Sequence, residues 1–274
     1  MSRLLVSFVV PAYNEEALIA SCLTSIHAEI SRTQCHAEII VVNNNSTDGT
    51  RQIASLFPAV VIVDEPQRGL VQARRAGCLA ARGELIANID ADTILTEGWL
   101  RTALREFQHT PDLVALSGPF IHYDLSKSAQ LAAAVFYRVA FIVSGLMRFV
   151  FRAGAMMQGG NFIVSKRALD AAGGFNSDFR FYGEDTELAR RLSKVGEVKF
   201  SLALPAFSSG RRFAAEGLFR VGFRYAANYL WATFFRHPFS PKWSDHRHTA
   251  GEHGATTLQS ADIVQAESPQ TWRN

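Results

Sequence analysis

Cysteine is scarce in this 274-residue chain. The three cysteines, Cys22, Cys35 and Cys78, are odd in number, widely spaced and form no CxxC pair. That excludes a disulfide framework and a cysteine zinc site, and it fits a reducing compartment. Charge of one sign is also lacking: 28 Lys and Arg against 25 Asp and Glu leave +3, too little for a nucleic-acid binder unless clustered. No GxGxxG follows the first apolar run, and no GxxxxGK[ST] occurs anywhere, which argues against a dinucleotide-binding or P-loop site. The longest apolar stretch, "LAAAVFYRVAFIVSGLMRFVF" at 131–151, is interrupted by Arg138 and Arg148. Each arginine would cost about 2.5–3.5 kcal/mol near the centre of a spanning helix, so spanning is disfavoured. Two placements stay open for it, flat at a membrane headgroup boundary or packed against the protein. The opening "MSRLLVSFVVPAYNEE" ends its apolar run in Pro and acids rather than a small-residue cleavage site, and reads as a first strand rather than a signal peptide.

What is present is a 48% hydrophobic composition, ample for a core. "LLVSFVV" (4–10), "AEIIVV" (37–42), "AVVIV" (59–63) and "ELIANI" (84–89) read as strands. Helical spacing fills the gaps, through Leu18, Ile19, Cys22, Leu23, Ile26 and Ile30, and through Leu70, Ala73, Ala76, Gly77 and Ala80. Such alternation predicts an α/β fold with a mostly parallel, doubly wound sheet, whose ligands sit beyond the carboxyl ends of the strands. Further on, a strand is expected at 112–123, a helix at about 127–152, a strand after "AMMQGG", and short helices at 166–172 and 185–194. A longer helix is expected from 213 to 236, carrying Arg220 and Arg224 on one face. Beyond it the composition turns polar and aperiodic, so 237–274 is expected to be a flexible tail, with His246, His248 and His253 facing solvent. The expected organisation is one domain over 1–236, divided into a nucleotide-binding half (1–95), an acceptor-side half (96–205) and a C-terminal helix (206–236).

Four clusters carry chemistry. In "IDADT", Asp90 and Asp92 point to one side if strand geometry persists, and could share a hard divalent cation with phosphate oxygens and water. They could equally hydrogen-bond a local turn or cap a following helix. In "VVNNNSTDGT", Asn43 and Asn44 could meet a heterocyclic base or form Asx turns. In "YGEDTELARRL", Glu184 and Asp185 open an amphipathic helix; an acid there can be an N-cap, or can accept a proton from a hydroxyl within about 3 Å. Arg68, Arg74, Arg211 and Arg212 could pair with phosphate oxygens or simply be solvated.

Taken in order, "FVVPAYNEE", "VVNNNSTDGT", "RGLVQARRAG", "IANIDADT", "GGNFIVSKRALDAAGGFN" and "GEDTELARRL" resemble family 2 glycosyltransferases with the GT-A fold, over roughly residues 4–200. The resemblance implies a non-processive, inverting enzyme that transfers a sugar from a nucleoside-diphosphate sugar to an acceptor hydroxyl. By position it implies that Pro11, Tyr13 and Glu15 line the nucleotide loop and that Asn43 or Asn44 replaces the base-contacting acid. Asp90 and Asp92 match the Mg²⁺- or Mn²⁺-holding diphosphate site, with Ala91 between them. Arg74 matches an arginine before that strand, Gly160 and Asn161 approach the donor sugar, and Asp185, beside Glu184, is the catalytic base. Arg211 and Arg212 are candidate phosphate ligands. A UDP-sugar is expected ahead of a GDP-sugar, with a carbohydrate or lipid-linked acceptor and a role in cell-envelope polysaccharide or glycolipid synthesis. The expected location is cytoplasmic, with peripheral attachment to the inner face of the membrane left open. The QxxRW signature of processive synthases is missing. A non-catalytic sugar-nucleotide binder and a nucleotidyltransferase are the alternatives; retention of all three acids opposes the first, and the absent Gly/Lys-rich loop opposes the second.

Overall fold

Strands apolar on both faces are stable only between two helical layers, and the chain builds that arrangement. The computed structural model describes residues 6–151, 156–176, 183–217, 220–222 and 224. Its order is β1 (Val6–Ala12), α1 (Ile19–Thr33), β2 (Ala37–Asn43), α2 (Thr50–Ser55), β3 (Val60–Asp64), α3 (Leu70–Ala80), β4 (Leu85–Ile89) and β5 (Thr93–Leu95). There follow α4 (Trp99–His109), β6 (Leu113–Ser117), β7 (Phe120–His122), α5 (Lys127–Phe151), β8 (Asn161–Ser165) and α6 (Lys166–Ala171). The last are α7 (Glu184–Leu192), β9 (Glu197–Phe200), β10 (Ala206–Ser208) and α8 (Arg211–Glu216).

Seven strands form the central sheet in the order β3-β2-β1-β4-β8-β6-β9, while β5, β10 and β7 make a small second sheet. Strands β1 to β4 are mutually parallel; β8 runs antiparallel to both β4 and β6. Alternate residues of each strand face opposite layers. Phe8 and Val10 join α1, α2 and α4 in one core, whereas Val9 joins α3, α6 and α7 in the other. Pro11 is tolerated inside β1 because the strand outruns β4: that pairing ends at Val9–Asn88, while pairing with β2 continues to Ala12–Asn43.

Two sequence expectations change here. Residues 112–123 form two strands in two different sheets, because Gly118 and Pro119 turn the chain between them. A Cβ on Gly118 would lie 1.8 Å from the Leu204 carbonyl oxygen, so the two segments close on each other only through a glycine. The helix expected over 213–236 starts earlier, at Arg211, and α8 ends at Glu216 where Gly217 takes φ +85°. Helical residues resume at 220–222, with Arg224 paired to Glu216 at 2.6 Å. Most of the remaining expected helix, and the expected tail at 237–274, lie outside the described residues. No helix among the described residues is long and apolar enough to cross a membrane.

Candidate active site

The carboxyl ends of β1, β2 and β4 open on one side, where three loops are tied together. In the loop after β1, the Glu15 N–H donates to Thr50 Oγ1 (2.8 Å), and Glu16 accepts from the Gly49 N–H (2.7 Å) at the start of α2. Asp48 accepts from the Thr50 N–H and Asn43 Oδ1 from the Ser46 N–H, so the Asx-turn reading of this segment holds locally. Asn44 reaches the other way. Its amide donates to the carbonyls of Glu65 (3.0 Å) and Gln67 (2.8 Å) and accepts from the Gly69 N–H (2.7 Å), pinning the loop between β3 and α3. The pinned loop sets the Arg68 guanidinium carbon 4.0 Å from the centre of the Tyr13 ring, a cation–π contact beside the strand ends.

Asn43 Nδ2 donates to Asp64 Oδ1 at 2.8 Å. The bond from Asn43, with help from Arg51, holds the Asp64 carboxyl below its usual range. A carboxylate from the end of the neighbouring strand thus stands beside "NNN". No motif marked it: Asp64 is 21 residues from Asn43 and meets it only through sheet pairing.

The acidic doublet departs from extended geometry. Strand β4 stops at Ile89, and the Thr93 N–H bonds back to the Asp90 carbonyl (2.9 Å), making a turn rather than a continued strand. Ala91 drops into the core, and the two carboxylates meet different arginines. Asp90 Oδ1 accepts from Arg74 Nη2 at 3.0 Å. Asp92 Oδ2 accepts from Arg211 Nη2 at 3.2 Å. Arg211 also grips the buried Glu15 with both terminal nitrogens, at 2.5 and 3.0 Å. Burial works against charge on Arg211, but Asp92 and Glu15 outweigh it and hold its pKa above the usual value. Arg212 follows in α8, half-buried.

Arg74 is only 1% exposed, and it also pairs with the buried Glu184. It therefore joins the acidic turn to the start of α7 from beneath. Asp185 stands next to that link: its Oδ1 accepts from the Thr186 N–H (2.7 Å) and its Oδ2 from the Gly159 N–H (3.1 Å). Burial pushes the Asp185 carboxyl above its ordinary range, only partly offset by those two donors and by Arg74. The adjacent Gly160, at φ +81°, lies so close to the doublet that an added Cβ would sit 2.1 Å from Asp90 Oδ2. Asn161 turns inward instead. Its side chain is fully buried, accepting from Trp99 Nε1 (2.9 Å) and donating to the carbonyls of Pro119 and Leu204. The part of this loop that faces the site is the glycine backbone.

The site thus gathers Pro11, Tyr13, Glu15, Arg74, Asp90, Asp92, Gly160, Glu184, Asp185 and Arg211, with Asn43 and Asn44 shaping its edge. Sequence reasoning missed Asp64 and Tyr123. Burial and then the neighbouring charge of Asp92 raise the Tyr123 hydroxyl's pKa, which places that ring by the acidic turn.

The family model for glycosyl transferase family 2 matches residues 7–173, more than half of the chain. The chain belongs to that family. It is a glycosyltransferase with the GT-A fold. Among curated relatives, glycosyltransferase AglE of Haloferax volcanii is 28% identical over 251 residues, covering 80% of this chain and 81% of that one. Several others are matched over less than half of their own length. Of solved structures, the mannosyltransferase PcManGT from Pyrobaculum calidifontis, in complex with GDP-Man and Mn²⁺, superposes with a TM-score of 0.65 at 20% identity. That match covers 100% of this chain and 73% of the other. Glucosyl-3-phosphoglycerate synthase from Mycobacterium tuberculosis, in complex with Mn²⁺, UDP and phosphoglyceric acid, gives 0.58 at 18% identity, over 85% and 78% of the two chains. At such identities the likeness shows the fold alone.

Proposed function

We propose that this glycosyltransferase transfers one sugar, with inversion, from a nucleoside-diphosphate sugar to an acceptor hydroxyl, with Asp185 as base and a divalent cation at Asp90 and Asp92. One observation carries the reading. The Gly159–Gly160 step touches Asp185 through one residue and Asp90 through the next. The acid that would face the nucleophile and the acids that would face the diphosphate therefore flank one glycine step.

The residues fit a hard cation. Carboxylate oxygens suit Mg²⁺ or Mn²⁺, which take one or two acids and complete their coordination with phosphate oxygens and water. The guanidiniums on Asp90 and Asp92 show that the turn draws positive charge. When bound, the cation would neutralise charge growing on the departing diphosphate. Asp185 accepts the proton of the acceptor hydroxyl as that oxygen attacks the anomeric carbon from the face opposite the leaving group. Its raised pKa makes it a better base near neutral pH than an ordinary aspartate. Glu184 and Arg74 hold the start of α7, and hence Asp185, against the doublet. At the other end, Asn43 and Asp64 offer an amide and a carboxylate to a base carrying an imide N–H. A UDP-sugar remains the first donor to try, followed by a GDP-sugar.

On α5, Leu131, Val135, Val139 and Ile142 form an exposed apolar stripe at helical spacing. That stripe supports a lipid-linked acceptor met at a membrane surface, in envelope polysaccharide or glycolipid synthesis.

Product analysis with UDP- and GDP-sugars tests the reaction. Wild type should release nucleoside diphosphate, and Asp185→Asn should lower turnover about 10²–10⁴-fold while donor binding survives. Undiminished turnover in that variant would sink the assignment.

A further inference from the structure

We infer that Arg211 is a built-in placeholder cation, which holds Glu15 and Asp92 together until a divalent ion and the diphosphate arrive, and then passes to the diphosphate. The inference rests on the metal reading above, and its geometry is specific to α8. One terminal nitrogen of Arg211 serves two carboxylates from different parts of the chain, Glu15 Oε1 at 2.5 Å and Asp92 Oδ2 at 3.2 Å. These partners are 196 and 119 residues away in sequence, so only the assembled fold creates the contact. Two carboxylates brought this close repel unless a cation lies between them. Arg211 removes the repulsion in the metal-free protein and so lets the site fold preformed.

The same contact makes Arg211 a competitor. A divalent ion on Asp92 would share that carboxylate with the guanidinium on Oδ2, and two cations at one carboxylate repel. Arg211 can yield without any backbone movement. Its main chain is pinned, because Asp124 accepts from the Gly210 N–H (2.5 Å) and from Ser209 Oγ (2.7 Å), while Ser209 Oγ accepts from the Arg211 N–H (3.3 Å). The side chain is 21% exposed, and its planar fork matches phosphate oxygens as well as carboxylates. Arriving diphosphate therefore gives the displaced guanidinium a new partner. Ion and nucleotide must then bind with positive coupling, each raising the affinity for the other by the same factor.

Manganese binding to the intact chain, followed by the electron paramagnetic resonance signal of free Mn²⁺, tests this without any turnover. Titrations would be run alone and with UDP or GDP present. Wild type should bind Mn²⁺ weakly alone and about tenfold or more tighter with nucleoside diphosphate. Arg211→Gln should bind Mn²⁺ alone about tenfold tighter than wild type, and nucleotide should add much less. Arg211→Lys keeps the charge but loses the fork; it should fall between the two, and it decides the matter if the Gln variant does not fold. Equal Mn²⁺ affinity in wild type and the folded variant would overturn the placeholder role while leaving the metal site intact. No Mn²⁺ binding in any protein, even with nucleotide, would overturn both.

Discussion

The two ends of the acidic turn are both neutralised by arginine, yet the arginines differ in kind. Arg74 rises from α3 beneath the sheet's rim, is 1% exposed, and is enclosed by Asp90, Glu184 and the face of Phe162. Arg211 reaches in from the short α8 at the rim and keeps 21% of its side chain in solvent. A buried ion cluster cannot exchange partners without leaving a charge stranded, so Arg74 is part of the framework. A rim arginine can exchange, so Arg211 belongs to the working surface. On the exchange inferred above, the doublet is anchored at Asp90 and responsive at Asp92.

The sharpest way to break this comparison is Arg74→Met. It leaves the buried Glu184, and the one-third exposed Asp90, without their shared cation, and denaturant unfolding should show a loss of about 3–5 kcal/mol. Arg211→Gln should cost less by the same measurement, because its side chain lies at the rim, 21% exposed, and water can take its place beside Glu15 and Asp92. Equal losses would erase the distinction between frame and working surface.

Gly160→Ala probes the anchored end next. Its φ of +81° costs an alanine about 1–3 kcal/mol, and the new Cβ would also drive into Asp90. Gly98→Ala shares the strained φ, +82°, but meets nothing within 4 Å. Unfolding should therefore show Gly160→Ala as the more damaging of the two, and only Gly160→Ala should lose transfer activity, by about 10²-fold from the displaced doublet. Matching activities for the two variants would separate Gly160 from the site.

Asn44→Ala tests the nucleotide edge. Removing the amide frees the loop between β3 and α3, leaves buried partners unsatisfied at about 1–3 kcal/mol, and should raise KM for the donor with little change in kcat. An unchanged KM would show that the Tyr13–Arg68 contact does not shape donor binding.

The smallest effect is in pH. Burial raises the Asp185 pKa, so the acid limb of kcat/KM should lie above the ordinary aspartate range. The sign for stability runs the same way. A carboxyl whose pKa is raised by folding favours the folded state most at low pH and loses that advantage as pH rises through the folded value. Asp185→Asn should then be at least as stable as wild type at neutral pH, as thermal unfolding across pH would reveal.

Legibility in the sequence followed the range of the interaction. Strands β1 to β4 were readable because continuous β-branched runs and intervening 3.6-residue periodicity are local signals. The three-residue β5 and β10 and the four-residue β9 were not, since so few residues carry no period. Helix α4 was also missed, although Trp99, Leu100 and Ala103 sit at helical spacing on its buried face. The acidic doublet and the acids opening α7 stood out as motifs. Their pairing did not: Arg74 and Arg211 read only as candidate phosphate ligands, and Asp64 meets Asn43 across the sheet with no motif of its own.

Sequence alone determined the layered α/β order, the family and the carboxylates that concentrate at the strand ends, because apolar periodicity and short motifs are written within a few residues of one another. Only the tertiary structure decided which cation each carboxylate meets, that Asn161 faces the core while Gly160 faces Asp90, and that Asp64 of β3 stands beside Asn43. Those outcomes depend on side chains far apart in the chain being desolvated together, and a charge chooses its partner only once the fold has removed the water between them.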